Sequence, residues 1–253
     1  MIISPSKEFI FIHLEKCGGT SIETALQPYL RWDDLIVGST DFGEGLQSLY
    51  FDRFGVDRTK SEMLWKHSSA QEIHQFLGPD SWKDFKKISV VRDPQEIMKS
   101  LYNFSFTVCK YHMGRINREI WKERIRLNDF PDQFPFTEAY VIEYIKSVLD
   151  DSGIDGFVEG CLNNQYSFCS PQYFRLTSLN NFEIDLVLDL SSLQNNWSNL
   201  LSSLSIEEDV NLPHINNSEK ISTELSPRSI KKIKKHFAID YSFFTKLTNA
   251  SWQ

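Results

Sequence analysis

Apolar positions along the chain alternate between short continuous runs and runs spaced three and four apart, the signature of strands alternating with helices. Residues 8–13 carry Phe9, Ile10, Phe11 and Ile12 and predict a short buried strand. Gly18-Gly19 follows, then Thr20-Ser21 opens a helical pattern that Pro28 stops. Met63-Leu64-Trp65-Lys66 predicts a short strand ending at His67, and Ser69-Ala70-Gln71-Glu72 reads as a capping box that starts a helix. Residues 87–91 predict a third strand, ending at Arg92-Asp93-Pro94 before a helix with Ile97, Met98 and Leu101 on one face. Further on, residues 137–151 and 192–204 read as amphipathic helices and 184–190 as a strand, while Ser226-Pro227 caps a last helix through His236. This order predicts an α/β fold with a central, mainly parallel sheet flanked by helices.

Composition narrows the picture. At 253 residues and 41% hydrophobic content the chain can bury one sizeable core, so 1–253 reads as a single domain. Its net charge of −7 argues against coating nucleic acid, and any anionic ligand must be held by a local positive site. Cys17, Cys109, Cys161 and Cys169 form no CxxC pair and have no zinc-type spacing with the histidines, so free thiols in a reducing compartment are expected. No signal-peptide pattern or membrane-length apolar window is present, and the expected location is cytoplasmic.

Three polar groups fall at predicted strand ends: the Lys16 loop, His67 and Arg92. In an open α/β sheet ligands sit beyond the carboxyl ends of the strands. A loop entering a helix aims backbone N–H groups and the positive helix end at one point, which suits a phosphate. Gly18 and Gly19 let the backbone approach without a Cβ, Thr20 and Ser21 add hydroxyls, and Lys16 adds a point charge. A nucleotide-kinase loop would read GxxxxGK[ST]; here the lysine precedes the glycines, which argues against ordinary ATP or GTP use.

The segment Phe11-Ile12-His13-Leu14-Glu15-Lys16-Cys17-Gly18-Gly19-Thr20-Ser21 resembles the 5′-phosphosulfate loop of the carbohydrate-type, family 2-like sulfotransferases, which commonly reads P-K-[TC]-G-G-T-S. Glu15 stands where proline is frequent. Arg92 with Ser100 eight positions on is similar to the pair that holds the 3′-phosphate in that family, although Ile97 occupies a position often filled by a further arginine. Lys66-His67-Ser68-Ser69 resembles the segment that carries a histidine before a helix. Ser170-Pro171-Gln172-Tyr173 resembles a loop near the active site, and residues 212–218 resemble a late loop that closes over the nucleotide. The resemblance implies a P-loop-like three-layer sandwich and 3′-phosphoadenosine 5′-phosphosulfate (PAPS) as donor, with no metal required. It implies donor binding by Lys16, Cys17, Gly18, Gly19, Thr20, Ser21, Arg92, Ser100, Asn216 and Ser218.

Sulfuryl transfer to a hydroxyl needs charge stabilisation on the departing nucleotide, for which Lys16 is the candidate, and a base, for which His67 is the candidate. His13, within the strand-to-loop entry, and His214, in the late loop, are the rival histidines. The expected acceptor is a saccharide or glycoconjugate hydroxyl. Lys110, Arg115, Arg118, Lys122, Arg124 and Arg126 read either as a rim guiding an acidic saccharide or as a solvated helix face, interspersed with Glu119 and Glu123. A non-catalytic nucleotide-binding relative and a nucleotide-dependent phosphotransferase remain the alternatives, and oligomeric state is open.

Overall fold

The computed structural model describes all residues except 32, 38–63, 114–118, 120–121, 124–125, 127–138, 165, 208–209, 214–220, 222–223, 250–251 and 253; for 111–113 and 167 it describes backbone only. Met63, most of the basic stretch after Lys110, His214, Asn216 and Ser218 therefore lie outside the described residues. The chain forms two compact units. One comprises Met1–Arg92, Pro171–Asn216 and Ile239–Gln253, the other Asp93–Ser170 and Asn217–Ala238.

The first unit is built on a five-stranded sheet. Its strands are β1 (Ile2–Ser4), β2 (Phe9–Ile12), β3 (Leu35–Ile36), β4 (Lys86–Val91) and β7 (Leu186–Asp189), in the order β3-β1-β2-β4-β7. Strands β2, β4 and β7 run parallel, whereas β1 pairs antiparallel with both β2 and β3. The α/β class with a helix-flanked central sheet is as expected. The N-terminal antiparallel edge is new, because Ile2-Ile3 is too short a run to mark a strand. Two short strands, β5 (Thr177–Ser178) and β6 (Asn181–Phe182), form a separate hairpin.

One face of the sheet, Phe9, Phe11, Ile88 and Val90, packs with Ile22, Ala25 and Leu26 of α1 (Gly19–Leu26) and with Leu193, Trp197 and Leu200 of α8 (Leu193–Ser203). Fully burying a side chain of this size stabilises by about 1.5–3 kcal/mol. The other face, with Ile10, Ile12 and Val91, is equally buried. The capping box is realised: Ser69 accepts from the Glu72 N–H and Glu72 accepts from the Ser69 N–H at the start of α2 (Ala70–Leu77). A short α3 (Pro79–Asp84) leads into β4.

The strand expected before His67 is not formed among the described residues. Leu64 and Trp65 carry no ladder, because the Trp65 N–H donates to Ser68 Oγ (2.9 Å) and the Ser68 N–H to the Trp65 carbonyl (3.0 Å). His67 therefore sits in a turn rather than at a strand end.

The second unit is helical. It contains α4 (Pro94–Met113), α5 (Ala139–Leu149), α6 (Gly153–Asn163) and α9 (Pro227–His236). Ile97, Met98 and Leu101 are buried on α4 as expected, and Ser226 caps α9 by accepting from the Ser229 N–H. Lys122–Glu119 and Arg126–Glu123 form i,i+3 ion pairs between exposed side chains, in keeping with a solvated face for that part of the basic stretch.

A candidate anion-binding loop and its supports

The chain leaves β2 at Ile12, turns through residues 13–18 and enters α1 at Gly19. The turn is tight. Lys16 has φ 60 and Gly18 φ 78, both left-handed. For a residue with a Cβ that conformation costs roughly 1 kcal/mol or more, so Gly18 suits its position and Lys16 is held there by its surroundings. A Cβ on Gly18 would also lie 2.7 Å from Leu190 Cδ1, at the carboxyl end of β7.

The loop's amides divide into two sets. The Cys17 N–H donates to the Leu14 carbonyl (3.4 Å), and the Ser21 and Ile22 N–H groups to the Gly18 carbonyl (3.1 and 3.3 Å). The Gly19 and Thr20 N–H groups, at the first two positions of α1, have no acceptor among the described residues. The same holds for the half-buried Thr20 and Ser21 hydroxyls. Open amides at a helix start, hydroxyls beside them and a nearby lysine make this loop a candidate anion site. Cys17 differs from these open amides, since its N–H is already spent on the Leu14 carbonyl. Its thiol is buried against Gln172 Oε1 (3.5 Å), and burial pushes its pKa up, so it stays protonated.

Gly19 has a second reason to be glycine. A Cβ there would fall 2.1 Å from His13 Cδ2 and 2.2 Å from His13 Nε2. His13 is buried, with Nδ1 2.7 Å from Glu23 Oε1, which the Met1 α-amino group also reaches. Burial pushes the His13 pKa down to about 4, and the Glu23 hydrogen bond offsets this only in part. Burial alone would raise Glu23, but the His13 hydrogen bond and the neighbouring positive charge outweigh it and hold the carboxyl at about 2. At neutral pH a neutral His13 therefore donates through Nδ1–H to an ionised Glu23.

His67 faces the same corner. Its Nδ1 lies 3.0 Å from the His13 carbonyl. A carbonyl only accepts, so the proton sits on Nδ1 and Nε2 keeps its lone pair. The ring packs edge-on to His13 (4.6 Å between centroids) and to Trp65 (5.4 Å). Trp65 is itself 44% exposed. Burial, followed by the His13 charge, pushes the His67 pKa down to about 2, so the imidazole is neutral.

Arg92 closes β4. Its Nη1 donates to the Lys16 carbonyl (3.0 Å), which makes it a support of the loop's left-handed residue. Its own backbone is clamped by one side chain: the Arg92 N–H donates to Gln172 Oε1 (2.9 Å), and Gln172 Nε2 donates to the Arg92 carbonyl (2.8 Å). Gln172 begins α7 (Gln172–Arg175), whose first two N–H groups donate to the buried Asp240 carboxylate on α10 (Ala238–Thr248), each at 2.9 Å. At the other end of α7, Arg175 Nη1 reaches both Glu15 carboxylate oxygens at 3.3 Å and Nη2 donates to the His67 carbonyl.

The Lys16 loop, His67 and Arg92 thus come together in the first unit, His67 from a turn rather than from a strand end. Ser100 lies half-buried on α4 in the second unit. The supports Gln172, Arg175 and Asp240 carry no local signal beyond the likeness of residues 170–173 to an active-site loop. Among the described residues, no group of three or more His, Cys, Asp or Glu side chains could hold a metal ion, and no helix is long and apolar enough to cross a membrane. The model of the Sulfotransferase family matches residues 1–246. No curated protein and no solved structure matches the chain.

Proposed function

Since the chain belongs to the sulfotransferase family, whose reaction is sulfuryl transfer, we propose that it uses 3′-phosphoadenosine 5′-phosphosulfate as donor and a saccharide or glycoconjugate hydroxyl as acceptor. The observation that carries the donor reading is the pair of open amides at Gly19 and Thr20, flanked by the Thr20 and Ser21 hydroxyls and preceded by Lys16. That donor set fits a phosphosulfate. The family match runs through both compact units, which supports reading 1–253 as one functional domain. The four cysteines, all free thiols, suit a reducing compartment such as the cytoplasm.

Bound at the loop, the donor would supply the sulfuryl group and depart as the 3′,5′-bisphosphate. The chain's part is positioning and charge stabilisation in a loose, in-line transfer. The Gly19 and Thr20 amides and the two hydroxyls hold the 5′ end. Lys16 offsets charge on the departing phosphate. Arg92 takes the 3′-phosphate, a role the resemblance extends to Ser100, and it extends nucleotide contact to Asn216 and Ser218. Nε2 of His67 takes the acceptor's proton. Its tautomer suits this, since Nδ1 is occupied by the His13 carbonyl. A pKa near 2 is low for a base; an anion at the loop would raise it toward the useful range.

Calorimetric titration with 3′-phosphoadenosine 5′-phosphate tests the reading, with AMP and ATP as controls and no metal added. The wild type should bind the bisphosphate in the micromolar range and AMP far more weakly. Thr20→Val should weaken binding roughly 10–100-fold, the worth of one hydrogen bond to a charged group. Absence of bisphosphate binding, or binding of ATP with magnesium only, would remove the donor assignment.

A further inference from the structure

Glu15 is the residue at which the loop departs from its family pattern, and it places a carboxylate one position before Lys16. That carboxylate is 18% exposed, and burial raises its pKa while Arg175 lowers it. Arg175 is only 12% exposed, and its planar fork is divided between two segments of chain: Nη1 on both Glu15 oxygens, Nη2 on the His67 carbonyl. Its backbone is not free to drift. Helix α7 is anchored at its start by Asp240 and by Gln172 on Arg92, and closed at its end by the Leu176 N–H on the Gln172 and Tyr173 carbonyls.

We propose that Arg175 is a positioning residue with two separable tasks: it neutralises the Glu15 carboxylate beside the anion-binding loop, and it ties that loop to the turn that carries His67. The proposal rests on the donor reading above. An unpaired carboxylate next to Lys16 would repel the donor's phosphates, and in a partly buried site such repulsion is several times stronger than in water. The tie requires a fork. A lysine at 175 could meet Glu15 as a point charge but could not serve both partners in the same geometry.

The test combines bisphosphate calorimetry with ¹⁵N NMR of the histidine imidazoles in wild type, Arg175→Met, Arg175→Lys, Glu15→Gln and the Glu15→Gln/Arg175→Met double variant. Arg175→Met should weaken 3′-phosphoadenosine 5′-phosphate binding roughly tenfold or more. The double variant should return to within about threefold of Glu15→Gln, because the repelling charge is gone. Arg175→Lys should keep the affinity within about threefold of wild type, yet lose the Nδ1-protonated signature of His67, as both Met variants do. Glu15→Gln should keep that signature.

A double variant as weak as Arg175→Met would overturn the charge task, and unchanged His67 signals in Arg175→Lys would overturn the tie. If Arg175→Met fails to fold, Arg175→Lys alone decides both tasks: a large loss of affinity there refutes the first, an unshifted imidazole the second. Failure of the wild type to bind the bisphosphate would instead sink the donor reading and the charge task with it, while the imidazole signals still decide the tie.

Discussion

Replacing Gly19 by alanine isolates one steric claim. The backbone at Gly19 is not left-handed, so an alanine meets no conformational barrier there, and at the first position of α1 it favours the helix slightly. The cost comes from the His13 ring. The new Cβ would lie 2.1 Å from Cδ2, 2.2 Å from Nε2 and 2.5 Å from Cγ, more than an ångström inside ordinary contact. The ring cannot swing away cheaply, since Nδ1 is held by Glu23 at 2.7 Å and the opposite side packs against His67. Overpacking of this kind costs about 1–3 kcal/mol. For a chain of this size that lowers the melting temperature by roughly 2–12 °C. The assay is a thermal or urea melt of Gly19→Ala in the wild-type background and in a His13→Ala background. In the second background the methyl enters space vacated by the ring, and the penalty should shrink to about 0.5 kcal/mol or less, within the scatter of independent sites. If Gly19→Ala melts with the wild type, or costs the same with and without His13, the glycine is not kept by the histidine. The double variant then shows whether the glycine also serves a ligand: restored stability without restored bisphosphate affinity would assign it both roles.

Acid should destabilise the fold through the two histidines. Both have folded pKa values depressed below the ordinary 6.5, so their contribution is fully present above pH 6.5 and is lost as pH falls toward about 4 for His13 and about 2 for His67. Each such group loses on the order of 1.4 kcal/mol per pH unit within its window. Urea melts between pH 7 and pH 4.5 should therefore slope downward, less steeply in His67→Gln; an identical slope in that variant would show that His67 protonates as easily in the folded state as in the unfolded one. Gln172→Leu keeps the side chain's bulk but removes its two hydrogen bonds to the part-buried Arg92 backbone, which should cost about 1–3 kcal/mol in all. Urea unfolding measures this, and a midpoint unchanged from wild type would mean that the Arg92 backbone finds other partners.

What the sequence made legible was local. The Ser69–Glu72 capping box, the Ser226-Pro227 start and the strand-glycine-helix order of residues 9–26 each depend on neighbours a few positions away, and each is realised. His67 was legible as a residue of interest but not as to its place, because its setting depends on the Ser68 side chain closing a turn and on the carbonyl of His13, far back in the chain. Helix α6 was not predicted, and its Gly153, Gly156 and Gly160 interrupt the helical pattern that the other helices show. In the fold Gly160 gives room to Glu143, and a Cβ there would lie 2.0 Å from its Oε2. Helix α7 and its partner Asp240 left no periodic trace at all, being one turn long and satisfied by residues distant in sequence.

The same contrast gives Glu15 its meaning. Read alone, the glutamate in place of a common proline is a mild departure outside the phosphate-contacting set. In the structure it has acquired a partner: Arg175 meets it across 160 positions of sequence and meets His67 with the same guanidinium. A proline at position 15 would bring no carboxylate to the loop and need no counter-charge. The arginine thus answers a charge that stands beside the candidate anion site, and with the same group it joins the loop to the histidine turn. A motif comparison scores Glu15 as a loss because it compares one position at a time, whereas the physical unit is the pair.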